Sequence, residues 1–155
     1  MMKTLSTFFL LMCAWVVTMP SLNAQSPGDK IIGTYYVKDD QSSEEAKIRI
    51  YKTTSGTYAG KTIWLKNPNF PNGTPKRDIK NPDPKKRNTL ATEIQMLFHF
   101  KYDADKKEWV DGAIYDPVHG KTYKCKMWFS DAKTLQLRGY IGTPAFGRTM
   151  TWKKL

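Results

Sequence analysis

The residues of this sequence best suited to hold a ligand are basic side chains in a proline-rich segment, residues 66–93. The segment carries seven of the chain's 25 lysines and arginines and only three acids. Arginine presents a planar, two-pronged donor that fits a carboxylate or a phosphate. Lys76, Arg77 and Arg87 are therefore predicted to form a positive site for an anion.

The same segment is predicted to have a defined conformation. A connection of 28 residues is long for a compact domain, and such connections are usually functional or disordered. Structural roles are expected for Asp78, Asn81 and Asp83, and Asp83-Pro84 predicts one capped helical turn. Two alternatives stay open: a solvated loop, or a clasp in which Arg77 pairs with Asp78 or Asp83. Its five prolines, which preclude a central strand, are at positions 68, 71, 75, 82 and 84.

Side chains suited to catalysis or to metal binding are few and scattered. His99 and His119 are twenty residues apart, and neither has a second His or Cys at ligand spacing. Cys125 lies on the apolar face of a predicted strand, where it is expected to be a small, unreactive hydrophobe. We predict no metal, no cofactor and no catalytic residue. An enzyme site around Tyr115, Asp116 and His119 is the weakest of three functional hypotheses.

The elements that must position these residues are β-strands. Apolar side chains alternate with polar ones over residues 94–102, which places Phe98 and Phe100 on one face. Short turn signals separate the strands, and Asp116 is expected to fix its own turn. Eight strands joined by hairpins predict a small antiparallel up-and-down barrel, because closure removes exposed edges. The other predicted strands are 31–38, 47–51, 57–65, 107–115, 123–129, 135–140 and 147–153.

The amino terminus has the pattern of a secretory signal peptide. Lys3 precedes an apolar run over residues 10–17, and the small residue Ala24 follows. Residues 1–24 are predicted to be removed, leaving residues 25–155 as a single barrel domain without a transmembrane segment. The alternative is a retained membrane anchor. The expected location is the periplasm or the exterior.

Charge and cysteine content restrict the partners of an exported chain. The net charge of +11 becomes +10 once Lys3 is removed, because all 14 acids lie beyond residue 24. Outside the cytoplasm such a charge points to phospholipid, envelope polysaccharide or an acidic small ligand and not to nucleic acid. Cys125 stands alone after loss of Cys13, so no disulfide can form within the chain. The sequence indicates no oligomeric state.

Several short motifs recur in one order along the chain: 75–78 (PKRD), 81–84 (NPDP), 112–117 (GAIYDP), 120–123 (GKTY), 137–142 (LRGYIG) and 147–149 with Trp152. Together they resemble the signature of an exported bacterial family, domain of unknown function 2147. The resemblance implies a signal peptide, a single short domain and a fold similar to small lipocalin-like barrels.

The chain departs from that family at two places. Relatives tend to have Gly-Thr-Trp where this chain has Gly33-Thr34-Tyr35, and a cysteine pair in the hairpin that here spans residues 52–59. In lipocalin-like barrels an early aromatic packs against a basic residue of the last strand. By this resemblance, Arg148 or Lys153 is expected to make a cation–π contact with the early aromatic.

The leading functional hypothesis is an exported, non-catalytic binding module for a small apolar or anionic ligand, held at the barrel mouth or beside the long loop. The runner-up is an envelope-associated protein that binds polyanions through its net charge. The predicted interior is lined by Phe98, Phe100, Met127 and Leu137. The predicted ligand-binding residues are Lys76, Arg77, Arg87, Arg138, Tyr140 and Arg148.

Overall fold

The computed structural model describes residues 26–38 and 44–155 and shows a closed, eight-stranded antiparallel β-barrel in that part of the chain. The strands are β1 (Gly33–Lys38), β2 (Glu45–Lys52), β3 (Tyr58–Leu65), β4 (Gln95–Asp103), β5 (Glu108–Asp116), β6 (Lys121–Asp131), β7 (Thr134–Tyr140) and β8 (Gly147–Lys154). Each pairs with its neighbours in sequence, and β1 pairs with β8. The predicted up-and-down barrel is confirmed. The predicted signal peptide lies outside the described residues.

An up-and-down barrel sorts its connections between two ends. The connections after β1, β3, β5 and β7 lie at one end, which we call the loop end. The connection after β3, residues 66–94, is the long connection. The other three connections lie at the opposite end, the plug end. The helical segments of the described residues are short 3₁₀ turns, none long and apolar enough to span a bilayer; they are Pro27–Ile31, Pro84–Lys86, Ala91–Glu93 and Pro144–Phe146.

The plug end is covered by the 3₁₀ turn Pro27–Ile31. Trp109 Nε1 donates a hydrogen bond to the Gly28 carbonyl at 3.1 Å, and the Tyr35 hydroxyl donates to the Ile31 carbonyl at 2.7 Å. All solvent is excluded from Ile31, Tyr35 and Trp109. Two buried aromatic polar groups are thereby satisfied by the carbonyls of the turn, which fixes it across the barrel end.

Side chains fill the barrel interior. Strands β6 and β7 contribute the predicted alternating faces, and Met127 and Leu137 are fully buried, as expected. The Phe100 ring lies directly against the backbone of Gly112 on β5. The other fully buried side chains of the core include Trp109, Trp152, Tyr35, Ile31, Ile50, Leu97, Leu135 and Cys125.

The prediction that Phe98 lines the barrel interior is wrong. Phe98 is half-buried on the outer face of the barrel, and Leu97 takes the inward position with no exposed surface. The cause is an extra residue in β4 at His99, whose φ of 61° is left-handed, and β5 carries a matching residue, Asp111, at φ 58°. A bulge reverses the faces of the residues before it. The alternation therefore holds for Phe100 but not for Phe98.

Cys125 is expected to resist thiol reagents in the folded protein. It has no exposed surface, and burial raises the pKa of its thiol to about 12, so little reactive thiolate forms at neutral pH. Cys125→Ala should lower the free energy of unfolding by about 1 kcal/mol through lost packing. Maleimide labelling followed by mass spectrometry checks this. The Cys125→Ala variant is the control, because any label it takes up comes from Cys13; fast labelling of Cys125 itself in native buffer would contradict its placement.

Candidate functional site

The long connection is ordered against the barrel. Arg77 and Leu90 form an antiparallel bridge within it, as do Asn69 and Pro75. The predicted helical turn is confirmed at Pro84–Lys86, with the Asp83 carboxylate accepting a hydrogen bond from the Lys85 N–H at 3.0 Å. These bonds satisfy backbone groups that a mobile loop would leave to water.

A buried polar network ties the long connection to β5. The Asp78 carboxylate, only 3% exposed, accepts a hydrogen bond from the Tyr115 hydroxyl at 2.7 Å and from Asn81 Nδ2 at 2.7 Å. Asn81 Oδ1 accepts in turn from the Asp83 N–H at 2.9 Å. Burial, together with the bond to Asp78, raises the pKa of Tyr115 well above its usual range. We call Asp78, Asn81 and Tyr115 the Asp78 network.

Beside this network the long connection and the outer barrel wall enclose a groove of about 560 Å³, which we call the wall groove. Phe98 and Ala113 pair across β4 and β5 and supply apolar surface. The Asp78 network lies along one side. The charged or titratable residues that line the groove are Asp78, Asp83, Lys86, Glu93, His99 and Tyr115.

The three predicted basic residues of the long connection each have a different partner. Arg77 Nη1 donates to the Asn88 carbonyl at 2.6 Å, and Arg87 Nε donates to the Asn81 carbonyl at 2.8 Å. Neither arginine lines the wall groove. The expected pairing of Arg77 with Asp78 or Asp83 is wrong, because the clasp that Arg77 makes is to a backbone carbonyl.

Lys76, the third predicted basic residue of the long connection, has a carboxylate partner. Its Nζ forms an ion pair with Glu44 at 2.8 Å. Both residues line a second groove of about 460 Å³, together with Phe70. Lys76 thus lines a groove that Arg77 and Arg87 do not, and the anion-binding role of the three residues stays a prediction.

The predicted residues of the late strands hold their own hairpin together. The Arg138 guanidinium donates to the Pro144 carbonyl, to the Ala145 carbonyl at 3.2 Å and to Thr149 Oγ1 at 2.9 Å. Tyr140 pairs with Gly147 at the end of β7, and Arg148 is exposed on β8. None of Arg138, Tyr140 and Arg148 lines either groove.

Two residues of the enzyme hypothesis, Asp116 and His119, contact each other, and the third, Tyr115, binds elsewhere. Asp116 accepts hydrogen bonds from the Val118 N–H at 2.9 Å and contacts His119 Nδ1 at 2.6 Å, which confirms that it fixes its own turn. The neighbouring Tyr115 hydroxyl instead donates to Asp78. Successive side chains of a strand face opposite sides, so adjacent Tyr115 and Asp116 are separated.

Sequence reasoning missed the pairing of Asp78 with Tyr115. The motifs 75–78 and 112–117 were both noted, but they are separated by more than thirty residues and nothing in their spacing shows a contact. The available signal was a tyrosine on the outward face of β5 beside Ala113. A large side chain there needs a cover, and the long connection supplies one.

Comparison with known proteins agrees with this architecture. The family model described as an uncharacterized protein conserved in bacteria, DUF2147, matches residues 33–154. The chain belongs to the DUF2147 family. Among solved structures it is similar to protein HP1028 from the human pathogen Helicobacter pylori, described as belonging to the lipocalin family. The two share 22% identity at a TM-score of 0.66, over 80% of this chain and 82% of that one. No match was found among curated proteins.

The lipocalin-like barrel of this DUF2147 chain has a cation–π contact that was not predicted, at the strand pair β1–β8 that closes the barrel. Lys154 Nζ lies 6.0 Å from the Tyr35 ring centroid and 5.9 Å from that of Phe129. Its partial burial lowers the pKa of Lys154. The expected contact of Tyr35 with Arg148 or Lys153 is wrong, because the register pairs Tyr35 with Lys154.

Arg77 in this DUF2147 chain is expected to act on stability. Arg77→Ala removes the bond to the Asn88 carbonyl and should lower the free energy of unfolding by about 1 kcal/mol with no ligand present. Arg77→Lys should lower it less, since one donor is kept. Equilibrium urea unfolding measures both. Lys85→Ala, which removes the same charge from an exposed residue of the long connection, is the control. Unchanged stability in Arg77→Ala would show that no clasp exists.

Proposed function

We propose that this chain is an exported, non-catalytic binding protein whose ligand occupies the wall groove. The observation that supports this most is the groove itself, whose volume of about 560 Å³ falls within the ordinary range for small-molecule sites. Fully buried aromatic side chains such as Trp109 and Phe100 occupy the barrel interior. Of the two positions expected from the sequence, the surface beside the long loop is therefore preferred to the barrel mouth.

The lining of the wall groove favours a small, mainly apolar ligand. Ile94, Phe98 and Ala113 supply the apolar contact. Three carboxylates line the groove against one lysine, Lys86. An anionic group would find a single cation there and several like charges, which disfavours it. Of the two expected ligand classes, apolar and anionic, we therefore propose the first, with a hydroxyl or amine group facing the carboxylates.

We propose a non-catalytic protein because the Tyr115 hydroxyl, which lines the wall groove, is held in its protonated form. The Tyr115 hydroxyl donates its proton to Asp78, and the raised pKa of Tyr115 keeps that proton in place at neutral pH. A protonated, hydrogen-bonded phenol is neither a base nor a nucleophile. The Asp78 network is better suited to hold the groove in shape.

Native mass spectrometry of the protein purified from its own compartment tests the ligand proposal. We expect a co-purified small molecule that Phe98→Ala no longer retains, because the main apolar surface of the groove is removed. Trp128→Ala is the matched control: Trp128 is a half-buried aromatic on β6 that lines neither groove. The proposal fails if both variants keep the molecule, or if the unaltered protein carries none.

Export is tested by the amino terminus of the protein. The exported form should begin at Gln25, because residues 1–24 have the pattern of a signal peptide. Amino-terminal sequencing of protein from the extracytoplasmic fraction measures this. Recovery of intact Met1 in a membrane-bound form would contradict the proposed export. It would not affect the proposal that a ligand occupies the wall groove.

A further inference from the structure

Large apolar side chains on the surface are concentrated at the loop end. Eight such residues are exposed within residues 26–38 and 44–155. Leu155 is at the plug end, and the other seven are on the strand ends or connections of the loop end. The four most exposed of these are Phe146 at 80%, Ile141 at 71%, Ile79 at 66% and Val118 at 59%. We call these four the apolar tips.

Hydrogen bonds hold the apolar tips away from the core. Lys80 Nζ donates to the Val118 carbonyl at 2.7 Å, which joins the segment that bears Ile79 to the β5–β6 hairpin. The Arg138 guanidinium holds the connection that bears Ile141 and Phe146, through two of its carbonyls. Exposing apolar surface to water is unfavourable. A fold that fixes four such side chains outward on three connections therefore presents them to an apolar medium.

The shape and charge of the loop end favour a lipid surface over a protein partner. The apolar tips are distributed over three connections, whereas protein interfaces have a contiguous, closely packed core. Exposed cations lie close to them in sequence, Lys121 beside the β5–β6 hairpin and Arg148 just after Phe146. Apolar side chains combined with basic ones bind the interface of an anionic bilayer. The net charge of +11 adds long-range attraction to such a surface.

We infer that the loop end docks on an anionic phospholipid bilayer, with the apolar tips inserted among the headgroups and with Lys121 and Arg148 facing lipid phosphates. This surface is separate from the wall groove, so the inference does not depend on the proposed ligand. It also differs from binding through delocalised net charge, because particular uncharged side chains contribute to affinity.

Co-sedimentation with lipid vesicles tests the inference. The full chain is mixed with vesicles of phosphatidylcholine containing phosphatidylglycerol, or of phosphatidylcholine alone. We expect binding to the anionic vesicles, weakened roughly tenfold or more in an Ile141→Ser/Phe146→Ser double variant because apolar burial is lost. Leu155→Ser is the matched control: Leu155 is 67% exposed at the opposite end, and its replacement should leave binding unchanged. Val118→Ser tests a second connection in the same way.

Three results would overturn the inference. The first result is that neither the double variant nor Val118→Ser changes vesicle binding. The binding would then come from the net charge or from the amino-terminal apolar run, because all the variants keep these two features. Equal binding to neutral and anionic vesicles would remove the role of the cations. The third result is that the unaltered protein does not bind vesicles but forms a concentration-dependent dimer in analytical ultracentrifugation, and that the double variant abolishes this dimer. A second copy of the chain, and not a bilayer, would then cover the apolar tips.

Discussion

Gly112→Ala is expected to destabilise the packed core of the barrel strongly. A Cβ at this position would lie 2.3 Å from two atoms of the Phe100 ring. Gly112 pairs with Cys125 in the packed core, next to the bulge at Asp111. Neither the ring nor the backbone has room to move, so the free energy of unfolding should fall by about 3 kcal/mol. Equilibrium urea unfolding measures it.

Gly139→Ala is the matched control for this prediction. Gly139 is on the inward face of β7, but there a Cβ would meet its nearest neighbour, Ile114 Cγ2, at an ordinary 3.4 Å. Its replacement should change stability by less than about 1 kcal/mol. Adding Phe100→Leu to Gly112→Ala should cost less than the sum of the two single changes, because the ring that clashes is gone. Strict additivity would show that the ring is not the obstacle.

Asp78→Asn is expected to loosen the long connection and destabilise the protein. An amide at position 78 can still accept from the Tyr115 hydroxyl, but its NH₂ group would face the NH₂ group of Asn81. Turning Asn81 over would restore that bond and break the one from the Asp83 N–H. One buried polar group stays unpaired either way. The free energy of unfolding should fall by about 2 kcal/mol, and proteolysis between residues 72 and 88 should become faster.

The control for Asp78→Asn is Asp83→Asn, in the same connection and with the same change of charge. Asp83 caps the 3₁₀ turn by accepting from the Lys85 N–H, and asparagine caps as well as aspartate does. Stability should therefore change by less than about 0.5 kcal/mol. Equal effects of the two substitutions would mean that lost charge, and not the Asp78 network, explains the result.

Hydrophobic periodicity was sufficient to predict the strands and their closure. The alternation of Cys125 and Met127 on β6, or of Leu135 and Leu137 on β7, puts one face of each strand in the core. Local chemistry was also predictable: the Asp83 cap and the Asp116 turn depend only on residues two or three positions away. In such interactions both partners lie within a few residues of each other along the chain, so the local sequence is enough to predict them.

The position of Phe98 was not predictable in the same way. Its alternation with Phe100 is regular in sequence, yet the left-handed residue His99 places the two rings on opposite faces. Nothing local requires a bulge there. It is paired with the one at Asp111 on β5, so its cause lies in the pairing of two strands around a closed barrel.

The sequence by itself determined the strands and the barrel through periodicity and turn residues, and the ordered long connection through its prolines and the Asp83 cap. These signals act over a few neighbouring positions. The family followed from short motifs in a fixed order. Tertiary structure alone decided which side chains meet. It placed the Arg77 and Arg87 guanidinium groups on backbone carbonyls, while the carboxylate of Asp78 received the hydroxyl of Tyr115. A charged side chain can be satisfied by any partner within reach. Only the folded backbone fixes which partner that is.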